Sequence, residues 1–272
     1  MVGEYHLHLI SDATGETLNT VAKAVCAQFD GVIAREHIYS LVRSERQLRR
    51  AVEHITANPG IVFFTLVNLG LRQTLEAECA RLSVPCVSIL DRAVETMGKF
   101  LGAEETHRPG GQHEMDSRYL ERVEALNFAM QHDDGQNTQN LGEADVILVG
   151  VSRCSKTPTC IYLAIRGIRA ANIPVVPGVD MPEHIFTLKK PLFVGLWLTP
   201  ERLLQIRRNR LTTMGETKSS DYVREEAIRA EIAYTRRLFE RYEWPTIDVS
   251  RRSIEETAAS ILNLLGEREP AA

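Results

Sequence analysis

The sequence lacks what several protein classes require. Its five cysteines, Cys26, Cys79, Cys86, Cys154 and Cys160, form no C-x-x-C pair and leave an odd count. Neither a disulfide scaffold nor a structural zinc site is expected, and the thiols read as reduced. No apolar run approaches the ~20 residues that a membrane-spanning helix needs, and the first residues show no basic stretch leading into an apolar one. No membrane association is expected, and the location read from these features is cytoplasmic. A large charge of either sign is missing too: the formal net charge of −4 offers no global attraction to nucleic acid. Internal repeats and low-complexity tracts are absent. What is present, 44% hydrophobic and 25% charged residues over 272 positions, is the balance of a globular protein with a sizeable core.

Short apolar, β-branched runs alternate with longer helical patterns, which predicts α/β architecture with parallel sheets. In the first half the expected strands are Tyr5 to Ile10, Ile33 to Tyr39, Ile61 to Val67 and Pro85 to Leu90. Helices are expected at Glu16 to Phe29, Glu45 to Ala57 and Leu71 to Leu82, long enough for crossover connections. This predicts a doubly wound N-terminal domain over residues 1–101. Gly, Pro, His and charge then dominate, with Arg108-Pro109-Gly110-Gly111 unable to continue an element, so residues 102–115 read as a linker. A C-terminal P-loop kinase-like α/β domain is expected over 116–272. It opens with a helix from Asp116 to Gln131, followed by strands Val146 to Gly150, Pro174 to Val176, Phe193 to Leu198 and Pro245 to Val249. Helices Thr157 to Ile168, Pro200 to Leu211, Tyr222 to Tyr242 and Ile254 to Leu265 fill the gaps.

Chemistry is concentrated where the run Ala144 to Val149 leads into Gly150-Val151-Ser152-Arg153-Cys154-Ser155-Lys156-Thr157. A loop of the form G-x-x-x-x-G-K-[ST] converges backbone N–H groups on phosphate oxygens. Its lysine neutralises charge, its hydroxyl reaches magnesium, and the following helix N-terminus adds partial positive charge. Ser155 stands where the second glycine would. Glycine serves where backbone takes positive φ, so the loop reading expects ordinary torsions at Ser155. The same letters also fit a turn that binds nothing, with Lys156 solvated.

Other segments have two readings each. Ser11-Asp12-Ala13-Thr14-Gly15-Glu16-Thr17 suits an anion at a helix N-terminus, or a capping box with Thr14 as N-cap. His132-Asp133-Asp134-Gly135 could hold a metal or accept a proton, or be a helix stop with Gly135 left-handed. Asp180, beyond a strand on the sheet edge where the phosphate loop opens, suits a proton acceptor or magnesium holder, or caps a loop before Pro182. The arginines of Pro200 to Leu211 offer a cation for a transferring phosphate, although most fit a solvated face. Asp248 is a weaker candidate, between a final strand and a capped helix.

Taken together these segments resemble the pyruvate, phosphate dikinase regulatory protein family, which includes the phosphoenolpyruvate synthase regulators. The resemblance rests on Ser11 to Thr17, Phe64 to Val67, Arg108 to Gly110, Tyr119 to Gly135, Ala144 to Pro158, Ala171 to Phe186 and Leu198 to Leu211. It implies a bifunctional serine/threonine kinase and phosphorylase. Such an enzyme uses ADP to phosphorylate a threonine of the dikinase, and removes that phosphate with inorganic phosphate, releasing pyrophosphate. Gly150 through Thr157 would bind ADP, with Lys156 on the β-phosphate and Thr157 towards Mg2+; Asp180 is the first choice of base. Ser155 before Lys156 is similar to the dikinase branch, glycine being typical of the synthase branch. Cys154 departs from the threonine common in the dikinase branch. Phosphoenolpyruvate synthase as the target, an ATP-using small-molecule P-loop kinase and a non-enzymatic adenine-nucleotide sensor are the alternatives, and a homo-oligomer is left open.

Overall fold

The computed structural model describes residues 3–111, 117–214 and 221–268. Residues 112–115 of the expected linker, and the expected helix start at Asp116, lie outside the described residues. The chain forms two compact units, Met1–Glu114 and Met115–Ala272.

The first unit runs β1 (Gly3–Ser11), α1 (Glu16–Cys26), β2 (Val32–Tyr39), α2 (Glu45–Ala57), β3 (Gly60–Thr65), α3 (Leu69–Arg81), β4 (Cys86–Ser88) and α4 (Asp91–Leu101). Its sheet has the order β2-β1-β3-β4 with every pair parallel. Alternation along β1 divides the core. Leu7 and Leu9 pack with Leu18 and Ala22 of α1, whereas Ile10 joins Leu48, Ala51 and Ile55 of α2 and Leu71 and Leu75 of α3. Helices therefore cover both faces, as buried parallel strands require. Helix α2 starts where Ser44 accepts from the Gln47 N–H. Helix α4 was not anticipated from the sequence pattern; none of its side chains is buried, and Phe100 is 90% exposed.

The second unit runs α5 (Ser117–Gln131), β5 (Val146–Gly150), α6 (Lys156–Ala164), β6 (Ala170–Pro174), β7 (Leu192–Trp197), α7 (Pro200–Met214), α8 (Glu225–Arg241), β8 (Thr246–Asp248) and α9 (Ile254–Glu267). The order is β6-β5-β7-β8, again parallel throughout. Strand β5 is buried along its whole length. Val146 and Leu148 pack with Cys160, Leu163, Ala258 and Ile261; Ile147 and Val149 pack with Ile173, Ile185, Phe193 and Phe239.

Two expectations are corrected. The strand expected at Pro174 to Val176 is Ala170–Pro174, because α6 ends at Ala164 and the chain turns at Gly167, φ 83°. Ala170 to Pro174 then pair with Val146 to Gly150, and Pro174 stands last, at the sheet edge, where a missing N–H is tolerated. The N-cap of α1 is Gly15, φ 81°, with no side-chain capping bond, rather than Thr14. The capped start expected for the last helix is present at α9, as a capping box: Ser253 accepts from the Glu256 N–H, and Glu256 from the Ser253 N–H.

Between β1 and β2 the parallel register sets His8 opposite His37, and three imidazoles stack. Ring centroids of His6 and His37 are 5.1 Å apart, those of His8 and His37 4.7 Å. His6 Nδ1 lies 2.8 Å from His37 Nε2, and His8 Nε2 lies 2.8 Å from the Asn58 carbonyl. Tyr39 and His54 complete the surroundings, with Arg35 paired to Glu4 on the open side. Burial holds His8 and His37 below the usual imidazole range, and their histidine neighbours, with Arg35 beside His37, act in the same direction. A depressed imidazole pKa means that the unfolded chain takes up protons first. The stability these groups contribute is complete above about pH 6.5, the unfolded value, and is lost as pH falls from there through their lower folded values. Thermal denaturation measured from pH 7.5 to 5.5 is expected to show a falling midpoint, and a His8→Gln, His37→Gln double variant a flatter dependence. An equal slope in both proteins would assign the acid sensitivity elsewhere.

Candidate functional site

In each unit the first strand has its successors on opposite sides. The connections leaving its carboxyl end and that of its neighbour diverge, and this opens a crevice where open α/β sheets bind ligands. In the second unit that crevice lies at the end of β5, where Gly150 begins the loop.

A Cβ on Gly150 would lie 2.4 Å from the Leu196 carbonyl and 2.8 Å from Cys154 Sγ, so no larger residue fits. Val151 and Cys154 are buried beneath the loop, and burial pushes the Cys154 thiol up, with Lys156 opposing only in part. The torsions at Ser155 are not ordinary: it is left-handed, φ 61°, ψ 23°, and Arg153 has φ 74°. The loop therefore keeps the backbone shape that glycine usually supplies and places a strained serine in it. Lys156 is not a solvated first-turn residue. Its side chain is buried, and Nζ donates to the carbonyls of Gly150 at 3.0 Å and Val151 at 2.9 Å, placing the ammonium over the loop.

Thr157 Oγ1 donates to Asp133 Oδ1 at 2.7 Å. The same oxygen accepts from Asn172 Nδ2 at 2.5 Å, and Asn172 Oδ1 accepts from the Asp134 N–H at 3.2 Å. Helix α5 stops as expected, with Gly135 at φ 76°, and Asp134 is also left-handed. This turn presents Asp133 to Thr157. His132 is buried against Phe128, ring centroids 3.9 Å apart, with Nδ1 on the Phe128 carbonyl.

Asp180 is exposed in irregular chain between Gly178 and Pro182. Asp248 accepts from both the N–H and the hydroxyl of Ser250, a local turn. Of the arginines on α7, Arg207 is buried, grips Glu231 with both terminal nitrogens at 2.8 Å, lies over the Tyr222 ring and reaches the Ser152 carbonyl at 3.4 Å. It supports the loop from behind. Arg202 bonds Gln205, and Arg208 and Arg210 are exposed. Sequence reading missed Asn172; its signal was a lone amide within the apolar strand Ala170 to Pro174.

The first unit has a crevice of its own. A cavity of about 210 Å³ at the ends of β1 and β3 is lined by Ser11, Asp12, Gly15, Thr65, Arg108 and Gly110, among others. Ser11 Oγ accepts from Thr65 Oγ1 and the Ala13 N–H, and the buried Asp12 carboxylate accepts from the Val67 N–H at 2.7 Å.

A kinase/pyrophosphorylase family model matches residues 7–262. The chain belongs to that family. A Caulobacter vibrioides relative is 56% identical over 96% of this chain and 83% of its own length. Relatives from Hyphomonas neptunium, 53% identical over 97% and 95%, and Maricaulis maris, 51% identical over 97% and 94%, are as extensive. All three are assigned the name pyruvate, phosphate dikinase regulatory protein. Membership makes the chain a phosphotransferase with a regulatory kinase or pyrophosphorylase role. Among the described residues no helix is long and apolar enough to cross a membrane.

Ser155→Gly removes a side chain from a left-handed position that costs L-residues about 1–2 kcal/mol, partly offset by the freer unfolded chain. The variant is expected to melt at the same or a higher temperature in thermal denaturation. A lower midpoint would show that the serine hydroxyl has a specific partner.

Proposed function

We propose that the chain phosphorylates a threonine of pyruvate, phosphate dikinase with ADP and removes that phosphate with inorganic phosphate. The observation that carries this is the loop Gly150 to Thr157 at the switch point of a parallel sheet, with the buried Lys156 bonded to its first carbonyls and Thr157 at the head of α6. In the forward direction the threonine oxygen attacks the β-phosphorus of ADP, the bond to the bridging oxygen breaks, and AMP leaves. In the reverse direction inorganic phosphate attacks the phosphothreonine phosphorus, the threonine oxygen leaves and takes up a proton, and pyrophosphate forms. Both need charge neutralisation and alignment more than covalent help from the protein.

Lys156 exchanges its two carbonyl partners for the β-phosphate. Hard oxygen donors gather at Thr157 and Asp133, and these suit magnesium; when bound, the cation shares the phosphate charge. Thr157 offers its hydroxyl oxygen to that position. Asp180, free to approach an incoming protein segment, takes the threonine proton in one direction and returns it in the other. The Ser11 to Thr17 crevice helps recognise phosphate or the target segment. Incubation with purified dikinase or phosphoenolpyruvate synthase, with ADP or ATP, tests the whole reading. Mass spectrometry is expected to find phosphothreonine on the dikinase with ADP. Transfer to a small acceptor with ATP, or nucleotide binding with no transfer at all, would replace it with a small-molecule kinase or a sensor.

Lys156→Ala is expected to keep its circular dichroism spectrum and lose at least ~10²-fold in both directions, the usual cost of removing an electrostatic donor at a reacting centre. Unchanged turnover at saturating ADP would remove the loop from the mechanism.

Asp180→Asn preserves size and hydrogen bonding but not proton acceptance. ADP affinity is expected to hold while both rates fall by roughly 10²- to 10⁴-fold. Rates within a few-fold of the parent would leave Asp180 as a loop residue.

A further inference from the structure

Asn172 is wholly buried within β6. An unpaired amide there would be costly, so what it bonds to is informative. Two of its three bonds to the 132–134 turn come from the side chain and need an amide. Its backbone N–H donates to the His132 carbonyl at 3.2 Å, its side-chain oxygen accepts from the Asp134 N–H at 3.2 Å, and its side-chain nitrogen donates to Asp133 Oδ1 at 2.5 Å. An apolar residue could fill the interior of an edge strand without such bonds. The amide instead fixes where one carboxylate points.

That carboxylate meets Thr157. A hydroxyl whose hydrogen goes to Asp133 turns its lone pairs elsewhere, which is what an oxygen must do to face a cation. Asp133 Oδ1 thus orients Thr157. The residue is only half-buried, so its carboxylate is within reach of solvent and of cation-bound water. The left-handed torsion at Asp134, next to the left-handed Gly135, adds a cost that a simple helix stop at one glycine would not need.

We propose that Asp133 is a magnesium-facing carboxylate of the nucleotide site and that Asn172 is the positioning residue that aims it. This rests on the reading of Gly150 to Thr157 as the nucleotide loop. The division of work is then clear: Thr157 supplies an oxygen directly, Asp133 orients that oxygen and accepts from cation-bound water, and Asn172 holds Asp133 through a bond that never touches the ligand. Ligand-orienting partners of this kind typically contribute about 10- to 100-fold in metal affinity.

The test is calorimetric titration of the full-length chain with ADP, in magnesium chloride and in EDTA. The ratio of the two affinities measures how much magnesium contributes. The parent is expected to bind ADP more tightly with magnesium. Asp133→Ala and Asn172→Ala should each reduce the ratio by about tenfold or more, while leaving affinity in EDTA within about twofold. The double variant should be no worse than Asp133→Ala alone, because Asn172 acts through Asp133. If Asn172→Ala does not fold, Asn172→Leu fills the same volume, removes the donor to Asp133, and carries the same expectation. An unchanged magnesium ratio in Asp133→Ala, or additive losses in the double variant, would overturn the assignment. A parent chain that binds no ADP in either buffer would overturn the nucleotide loop, and this proposal with it.

Discussion

Pairing of β5 with β6 on one side and β7 on the other is the constraint from which the second unit's site follows. Because every residue of β5 is buried and every pair is parallel, the strand can be left only through its end, and the next strands must be reached by crossovers. The first connection goes one way and the later one the other. The loop at Gly150 is therefore held open by topology rather than by its own residues. The close packing of Gly150 against the Leu196 carbonyl then draws the loop down onto β7 and leaves its backbone facing the crevice. The first unit repeats the same strand order, so its crevice at Ser11 and Thr65 arises from the same cause.

Much of this was legible in the sequence because it depends on period and punctuation. Strands with both faces covered read as unbroken apolar runs, as Val146 to Val149 does, and α2 could be placed because Leu48, Ala51 and Ile55 recur at helical spacing behind a serine cap. The errors fall where that logic has little purchase. Helix α4 follows a three-residue strand and buries none of its side chains. The β6 register depended on where α6 stops, and its end is marked by a glycine that can be read as belonging to the turn or to the strand. Thr14 looked like a cap because threonine commonly caps, but the chain places Gly15 in the left-handed region instead.

The site was legible as far as the loop and no further. Gly150 to Thr157 is contiguous, so its letters carry its geometry, apart from the torsion at Ser155. Asp133, Thr157 and Asn172 come from three separate elements, and only folding brings them into one hydrogen-bonded group. A polar residue inside an apolar strand is a usable sign that such a group exists, but it does not name the partner. The arginines of α7 show the converse. The sequence presents four alike, and the fold buries one.

That buried arginine changes how distant substitutions should be interpreted. Arg207 and Glu231 lie away from the loop's open face, yet the guanidinium also reaches the Ser152 carbonyl, so the charge pair and the loop's rear wall form one assembly. Removing the carboxylate would leave an uncompensated charge in the interior, which is among the more disruptive changes a protein can undergo. A ligand-binding defect mapped to α8 would thus be mistaken for a contact if read from affinity alone. Its origin would be the solvation of an ion on the far side of the loop.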